Sequence, residues 1–292
     1  MRVAIYSKKV NKSDFPLFKR LIDKMHALKW NIVLEEQLKA QLIKKGFVCS
    51  ETEIFNKHAD FHHGIDVAFS IGGDGTFLKT VSYVRNSGVP IIGINTGRLG
   101  FLANVSESQL ERAIDMVDQQ KYVLVQRSLL QVETKRNLFG ADNFALNEVT
   151  ILKKDTASMI TVHAELGKEF LNSYWVDGMI VSTPTGSTAY NLSCGGPIVT
   201  PGCQVHILTP IAPHNLNVRP MVVSDNVTIK LSVEGRERNY LLSLDGISVN
   251  IKQKEEVFIR KADFFINLIK LEDTNFLDTI RNKMLWGKDR RN

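Results

Sequence analysis

The chain has 292 residues, 43% of them hydrophobic and 23% charged, with a formal net charge of +6 and a sequence isoelectric point near 9.1. This is globular composition sufficient for one large or two ordinary domains, and it excludes a low-complexity chain. The positive balance favours anionic partners, a class that includes both nucleic acid and small phosphorylated substrates. Cys49, Cys194 and Cys203 are widely spaced with no CxxC, so neither a disulfide framework nor a cysteine zinc site is expected, and a reducing cytoplasm fits. The apolar run after Met1 is too short for a signal peptide and no segment approaches a membrane span, so neither export nor membrane association is expected. The basic cluster Lys288-Asp-Arg-Arg reads as a solvated tail, not a nucleic-acid arm.

In chain order, Arg2 to Tyr6 reads as a buried strand and Leu17, Leu21, Met25 and Leu28 as the face of a helix, with Pro16 tolerated near its start. A second helix is expected from about Leu34 to Lys45, ending at Gly46, with a short strand at Phe47-Val-Cys. His58, His62 and His63 invite a metal reading through the i, i+4 pair, but no third ligand stands at recognisable spacing, so a polar helix end or loop before the Asp66 strand is the better reading.

Asp66-Val-Ala-Phe-Ser-Ile-Gly72-Gly73-Asp74-Gly75-Thr76 is an apolar run that stops at glycines and restarts as an amphipathic helix expected to begin near Thr76. Three glycines in four residues permit positive φ and close approach of backbone N–H groups, and a helix start adds a positive dipole end, so the loop suits phosphate. Asp74 is the odd member, because a carboxylate repels phosphate unless it manages a cation or a proton. Two readings stay open on these residues alone: Asp74 does chemistry, or it caps the helix. Val89 to Asn95 gives another strand, leading to Thr96-Gly-Arg-Leu-Gly-Phe-Leu-Ala, and Ser106-Glu-Ser-Gln109 opens a helix carrying Leu110, Ile114 and Val117. Alternating strands and helices imply a parallel sheet with ligands beyond its carboxyl ends.

From about Tyr122 the pattern turns to alternating, β-branched runs at Tyr122 to Val125, Leu129 to Glu133, Ala145 to Leu152, Met159 to Leu166, Glu169 to Tyr174, Val205 to Leu208, Val227 to Val233, Tyr240 to Leu244, Val257 to Arg260 and Phe264 to Leu271. These predict a mostly antiparallel, β-sandwich-like second domain, with a hairpin turn at Leu166-Gly-Lys-Glu. The fold expected is therefore α/β plus all-β: a Rossmann-like α/β domain over residues 1–122 and a β-rich domain over 123–272, with a C-terminal helix over 273–286 that folds back on the first.

Within the β region, Asp177-Gly-Met-Ile-Val-Ser182-Thr-Pro-Thr185-Gly186-Ser187-Thr188-Ala-Tyr190-Asn-Leu-Ser193-Cys-Gly195-Gly196-Pro crowds hydroxyls and glycines into one turn. Small hydroxyls bond ribose, base edges or phosphate without steric exclusion, and Tyr190 offers a ring and a phenol. Taken alone the stretch also reads as an ordinary Ser/Thr-rich turn. It is not a hydrolase elbow, because Gly-x-Ser-x-Gly is missing.

Together with Gly72-Gly-Asp-Gly-Thr76 and Asn147-Glu148, this stretch resembles the NAD kinase family, ATP-dependent 2′-kinases of NAD, and specifically its bacterial members. The glycine loop alone is shared with lipid kinases and, in related form, phosphofructokinases; Ser182 to Tyr190 discriminates. The resemblance implies an NAD site in a cleft between the two domains, a homodimer or homotetramer, and ATP as phosphoryl donor with a divalent cation, Mg²⁺. It implies Asp74 as catalytic base, Gly75 beside it as a dinucleotide contact, and Gly72, Gly73, Gly75 and Thr76 as the phosphate loop. Asn147 and Glu148 are implied to hold the adenosine portion, and Asp177, Thr185, Thr188, Ala189, Tyr190, Asn191, Leu192, Ser193 and Ala212 to make further NAD contacts. No protein ligand for the metal is assigned. Two positions depart from the family pattern: Trp175 stands where many bacterial relatives have Arg and reads as a core filler, and Ile247 stands where Gln or Asn is common.

The activity that the resemblance implies is thus that of an NAD kinase. A lipid kinase leaves Ser182 to Tyr190 without a purpose and calls for a membrane-binding helix that is not evident. A dinucleotide sensor gains nothing from Asp74, and an oxidoreductase would call for Gly-x-Gly-x-x-Gly after a strand.

Overall fold

The computed structural model describes residues 1–47, 52–97, 100–154, 158–272 and 275–284. The strand expected at Phe47-Val-Cys, Cys49 itself and the Lys288 tail fall largely or wholly outside these residues. The chain divides into two compact units, Met1–Gln126 with Ile266–Asn292, and Arg127–Phe265.

The first unit runs β1 (Arg2–Tyr6), α1 (Phe15–Ala27), β2 (Asn31–Glu35), α2 (Glu36–Lys44), β3 (Glu53–Phe55), β4 (Val67–Ile71), α3 (Asp74–Val84), β5 (Ile91–Asn95), β6 (Val105–Ser106) and α4 (Leu110–Asp118). Its parallel strands lie in the order β3-β2-β1-β4-β5, in register Ala4↔Val33, Ala4↔Ala68 and Ala68↔Ile91. The order reverses between β1 and β4, where open α/β sheets bind ligands beyond the strand ends. β4 and β5 are buried at every position, so they read as unbroken apolar runs instead of alternating ones. Leu17, Phe18, Leu21 and Met25 of α1 share one core with Ile114 and Val117 of α4 and with Val3, Ile5 and Phe69 of the sheet.

The structure corrects the second helix. Leu34 lies in β2, and the helix starts at Glu36, with the Glu35 carboxylate accepting the Leu38 N–H at 2.8 Å as its cap. A buried Ile32-Val33-Leu34 run between two strands is better satisfied by sheet pairing than by helix, which the short window concealed. His58 and His62 do meet, Nε2 to Nε2 at 3.2 Å, and His58 Nδ1 lies 2.8 Å from the Tyr83 carbonyl. The pair is satisfied by a hydrogen-bond chain, and among the described residues no group of three His, Cys, Asp or Glu is placed to hold a metal.

The second unit is a sandwich, with the long strand β7 (Tyr122–Thr134) entering it. Then come β8 (Phe144–Ala145), β9 (Glu148–Leu152), β10 (Ile160–Leu166), β11 (Glu169–Val176), β12 (Gly178–Ser182), the short α5 (Tyr190–Ser193), β13 (Val205–Ile211), β14 (Met221–Ser224), β15 (Ile229–Glu234), β16 (Asn239–Leu244), β17 (Ile247–Lys252) and β18 (Val257–Leu271). One layer has the antiparallel order β11-β10-β15-β18 and the other β14-β13-β12-β9-β16-β17. Val149, Met179, Val181 and Leu242 of the second layer pack with Val162, Val176, Leu231 and Ile259 of the first. β14 and β17 were not anticipated: both are mostly exposed edge strands, β14 is only four residues long without alternation, and β17 carries an apolar alternation of Ile247, Val249 and Ile251 that the sequence reading passed over. The last six residues of β18 belong to the first unit, where Leu268 pairs with Ile91 of β5. α6 (Phe276–Met284) also belongs there, buries Ile280 and sets the Lys283 ammonium 4.2 Å above the Phe101 ring. No helix among the described residues is long and apolar enough to cross a membrane.

Candidate functional site

In the first unit, β4 ends at Ile71 and α3 begins at Asp74, two residues earlier than its periodicity suggests, with Gly73 as N-cap. Of the three loop glycines only Gly72 has a positive φ. Asp74 therefore does not cap the helix, and its carboxylate turns to another loop. Oδ2 accepts the Phe101 N–H at 2.9 Å, and Oδ1 accepts those of Leu102 and Ala103, both at 3.0 Å. A carboxylate has about four lone-pair sites, so three are taken and one on Oδ2 is left. Gly100 makes this possible, because a Cβ there would overlap the Asp74 carboxylate. Gly73 and Gly75 are exposed, and Thr76 half-buried.

In the second unit the same device recurs. Asp245, in the turn between β16 and β17, accepts the N–H groups of Leu146, Asn147 and Glu148 at 2.6, 2.9 and 3.0 Å. That fixes the start of β9, and the Asp245 N–H returns a bond to the Glu148 carbonyl at 3.1 Å. Burial pushes the Asp245 carboxyl up to about 6, against the opposing pull of those N–H donors. Sequence reading missed Asp245 as a contributor; the Asp-Gly turn signal was present, but its partners lie about a hundred residues earlier.

Glu148 faces Ser182 across the β9–β12 ladder. Burial first, and then the Asp245 charge, raise its carboxyl to about 8, while the Tyr190 N–H bonds it and pulls the other way. Its Oε2 is buried with no hydrogen-bond partner. A carboxyl group with one oxygen unmet and its proton retained at neutral pH is suited to a ligand hydroxyl, to which it can donate.

The segment from Thr183 closes over this end of the sheet. Thr183 Oγ1 donates to the Leu146 carbonyl at 2.6 Å and accepts the Gly186 N–H at 3.0 Å. Gly186 lies flat on the Asn147 backbone, where a Cβ would overlap the Asn147 carbonyl, so the Ser/Thr turn is clamped to the Asn147-Glu148 strand end. Thr185 is buried, Thr188, Ala189 and Leu192 half-buried, and Tyr190 and Ser193 exposed. Asn191 is different: fully buried, it donates to the Ser187 and Pro197 carbonyls at 3.0 and 3.1 Å and accepts the Thr209 hydroxyl at 2.6 Å, so its amide shapes the turn from within.

Asp177 and Ala212 sit at the other end of β12, about 17 Å along the strand from Ser182 at 3.3 Å per residue. Lys153 holds Asp177 twice, by Nζ to Oδ1 at 2.5 Å and by its N–H to the Asp177 carbonyl at 3.0 Å. The Tyr190 phenol is pushed up by burial, by Cys194 and by the charges of both Glu148 and Asp177. Trp175 does not fill the core. It is 52% exposed, with its ring 4.3 Å from that of His214, because its strand β11 is a sheet edge and its side chain points away from the sandwich. Ile247 is likewise exposed.

The Glu148 and Asp245 shifts predict a pH trend. Both folded-state values lie above the unfolded ones, so the native state holds more protons between about pH 4 and 8, and stability falls as pH rises through that window. The thermal midpoint is expected to drop between pH 6 and 8.5, and Glu148→Gln, which mimics the protonated acid, is expected to flatten the slope. A midpoint with the same slope in both proteins counts against a protonated Glu148.

Residues 5–122 match the domain family described as the ATP-NAD kinase N-terminal domain, and residues 146–271 the ATP-NAD kinase C-terminal domain. The chain is 45% identical over 294 aligned positions to a NAD kinase of Flavobacterium psychrophilum, covering 100% of both. It is 37% identical to that of Porphyromonas gingivalis, over 98% of both. Its fold superposes on a NAD kinase from Archaeoglobus fulgidus in complex with ATP with TM-score 0.74, 28% identity and 99% of each chain covered. With yeast NADH kinase complexed with NADH the TM-score is 0.87 at 22% identity, covering 99% of this chain and 88% of that one, a likeness of fold. A parallel α/β unit joined to an antiparallel sandwich, with these relatives, defines a two-domain phosphotransferase. The chain belongs to the NAD kinase family.

Proposed function

We propose that the chain transfers the γ-phosphoryl group of ATP to the 2′-hydroxyl of the adenosine ribose of NAD, making NADP. The bond from the 2′-oxygen to the γ-phosphorus forms, the bond from that phosphorus to the β–γ bridging oxygen breaks, ADP leaves, and the hydroxyl proton passes to Asp74. The observation that carries this is the Asp74 carboxylate itself, oriented by three N–H donors beside the Gly72–Gly75 loop with one lone pair remaining. Phosphoryl transfer asks mainly for positioning and charge neutralisation, so this base, a phosphate loop and a cation are sufficient parts. Gly72, Gly73, Gly75 and Thr76 serve the phosphates; Asn147, Glu148, Thr185, Thr188, Ala189, Tyr190, Ser193, Asp177 and Ala212 serve the dinucleotide. Incubation with ATP, Mg²⁺ and NAD is expected to yield NADP, and a protein that binds NAD without producing NADP would be a sensor instead.

Mg²⁺ would enter with the ATP substrate, held by its phosphate oxygens, and would neutralise charge on the transferring group. Excess chelator is expected to abolish turnover, and undiminished turnover overturns the requirement. The chain is also proposed to form a homodimer or homotetramer, because Phe170 on edge strand β11, Met221 and Val222 on β14 and Ile247 on β17 are exposed. Light scattering at micromolar concentration is expected to show more than one subunit.

A further inference from the structure

A cavity of about 610 Å³ lies in the second unit, lined by Lys154, Arg236, Glu237, Arg238 and Asn239. Its geometry follows from sheet register. β16 pairs with β9 at Leu241↔Leu152, so continuing the ladder sets Asn239 opposite Lys154. The tight connection from β15 to β16 then carries Arg236 and Arg238 to the same place. Tyr240, fully buried, donates its hydroxyl to the Glu237 carbonyl at 2.8 Å and so pins that connection from below.

What sets this cavity apart is that its cations cluster. Arg2, Arg20, Arg136, Arg260 and Arg281 each meet a carboxylate, whereas among the described residues Lys154, Arg236 and Arg238 have no carboxylate within ion-pair distance. Three cations against the single carboxylate of Glu237, gathered in one concavity, leave a net positive field that no carboxylate among the described residues pairs with. Guanidinium groups match phosphate oxygens in pairs. No aromatic residue lines the cavity, so there is no surface on which a base would stack, and recognition falls on the phosphates.

We infer that this cavity is a regulatory binding site for a phosphate polyanion of the di- or triphosphate class, whose occupation weakens dinucleotide binding. The route is short. Lys154 adjoins Lys153, which grips Asp177 by side chain and backbone. An anion drawn to Lys154 lowers the positive potential there and disturbs the Lys153–Asp177 grip, and both effects act against an anionic dinucleotide. The coupling rests on Asp177 as an NAD contact; the site itself does not.

The test uses the full chain by calorimetry, without metal, with inorganic tripolyphosphate and with ATP as separate probes. Tripolyphosphate is expected to bind the parent protein in a salt-sensitive manner, and about 10-fold or more weaker to Arg236→Ala/Arg238→Ala. NADP formation from saturating ATP and NAD is expected to be unchanged in that variant, so a loss of the site is separable from a failure of the kinase reading. Tripolyphosphate is also expected to raise the NAD dissociation constant several-fold in the parent protein and not in the variant. Equal tripolyphosphate affinity in both proteins overturns the site. Binding that depends on the arginines but leaves NAD affinity untouched overturns the regulation. A difference seen with ATP and absent with tripolyphosphate overturns recognition by phosphates alone.

Discussion

Asp74→Asn is expected to form NADP about 10² to 10⁴-fold more slowly than the parent protein, the usual worth of general-base catalysis. Because Gly73, not Asp74, is the N-cap, the helix end itself loses nothing. The loop does. Two N–H groups can still point at the amide oxygen, but the Phe101 N–H, which now bonds Oδ2, would face an NH₂ donor. Two opposed donors cost on the order of 1–3 kcal/mol, so a moderate fall in thermal stability should accompany the kinetic loss. A folded, NAD-binding variant with kcat reduced while KM holds supports a proton acceptor. Near-normal turnover, or a loss that disappears once the folded fraction is corrected for, would leave Asp74 as a loop anchor alone. Gly100→Ala supplies the counterpart, since it keeps the carboxylate and displaces it, and a comparable loss of kcat is expected there.

The second large effect falls on Asp245, which is proposed to touch no substrate and to act through Glu148 and Asn147. Asp245→Ala leaves the N–H groups of Leu146, Asn147 and Glu148 without their acceptor, two of them on residues that are 0% and 8% exposed. Orphaned buried donors cost about 1–3 kcal/mol each, partly offset by removing a carboxylate that burial disfavours, so a net loss of about 3 kcal/mol is expected. For a unit of this size that lowers the thermal midpoint by roughly 6–12 °C. The functional signature should be a raised KM for NAD that exceeds any fall in kcat, because the start of β9 is proposed to carry the adenosine contacts and Asp74 the proton transfer. Asp245→Asn, which keeps one acceptor oxygen, should recover part of both. A stability loss with KM unchanged would reduce Asp245 to a fold-holding role.

Much of the architecture is written in short stretches of chain. The apolar Val67–Ile71 run ending at Gly72, the capping box at Ser106 to Gln109, the Gly167 turn and the hydroxyl-rich turn after Ser182 each carry their signal within about ten residues, the range over which periodicity and turn chemistry act. For the same reason β2 went unread and its last residues, Leu34 and Glu35, were given to the following helix: Asn31–Glu35 is too short to declare its period, and it is sheet because β1 and β3 flank it. The exposure of Trp175 was equally hidden, since whether an aromatic residue at an alternating position faces core or solvent depends on which side of β11 meets the other layer.

The sequence by itself thus determined that a parallel α/β unit precedes an antiparallel one, and which loop and which turn hold the polar groups. Only the tertiary structure decided what those groups do there. Asp74 is turned from helix cap to oriented carboxylate by N–H groups 27 to 29 residues away, and Glu148 is held by an aspartate 97 residues further on. Such pairings are fixed by strand order and register, which close long loops only when the whole core forms, so no local propensity encodes them.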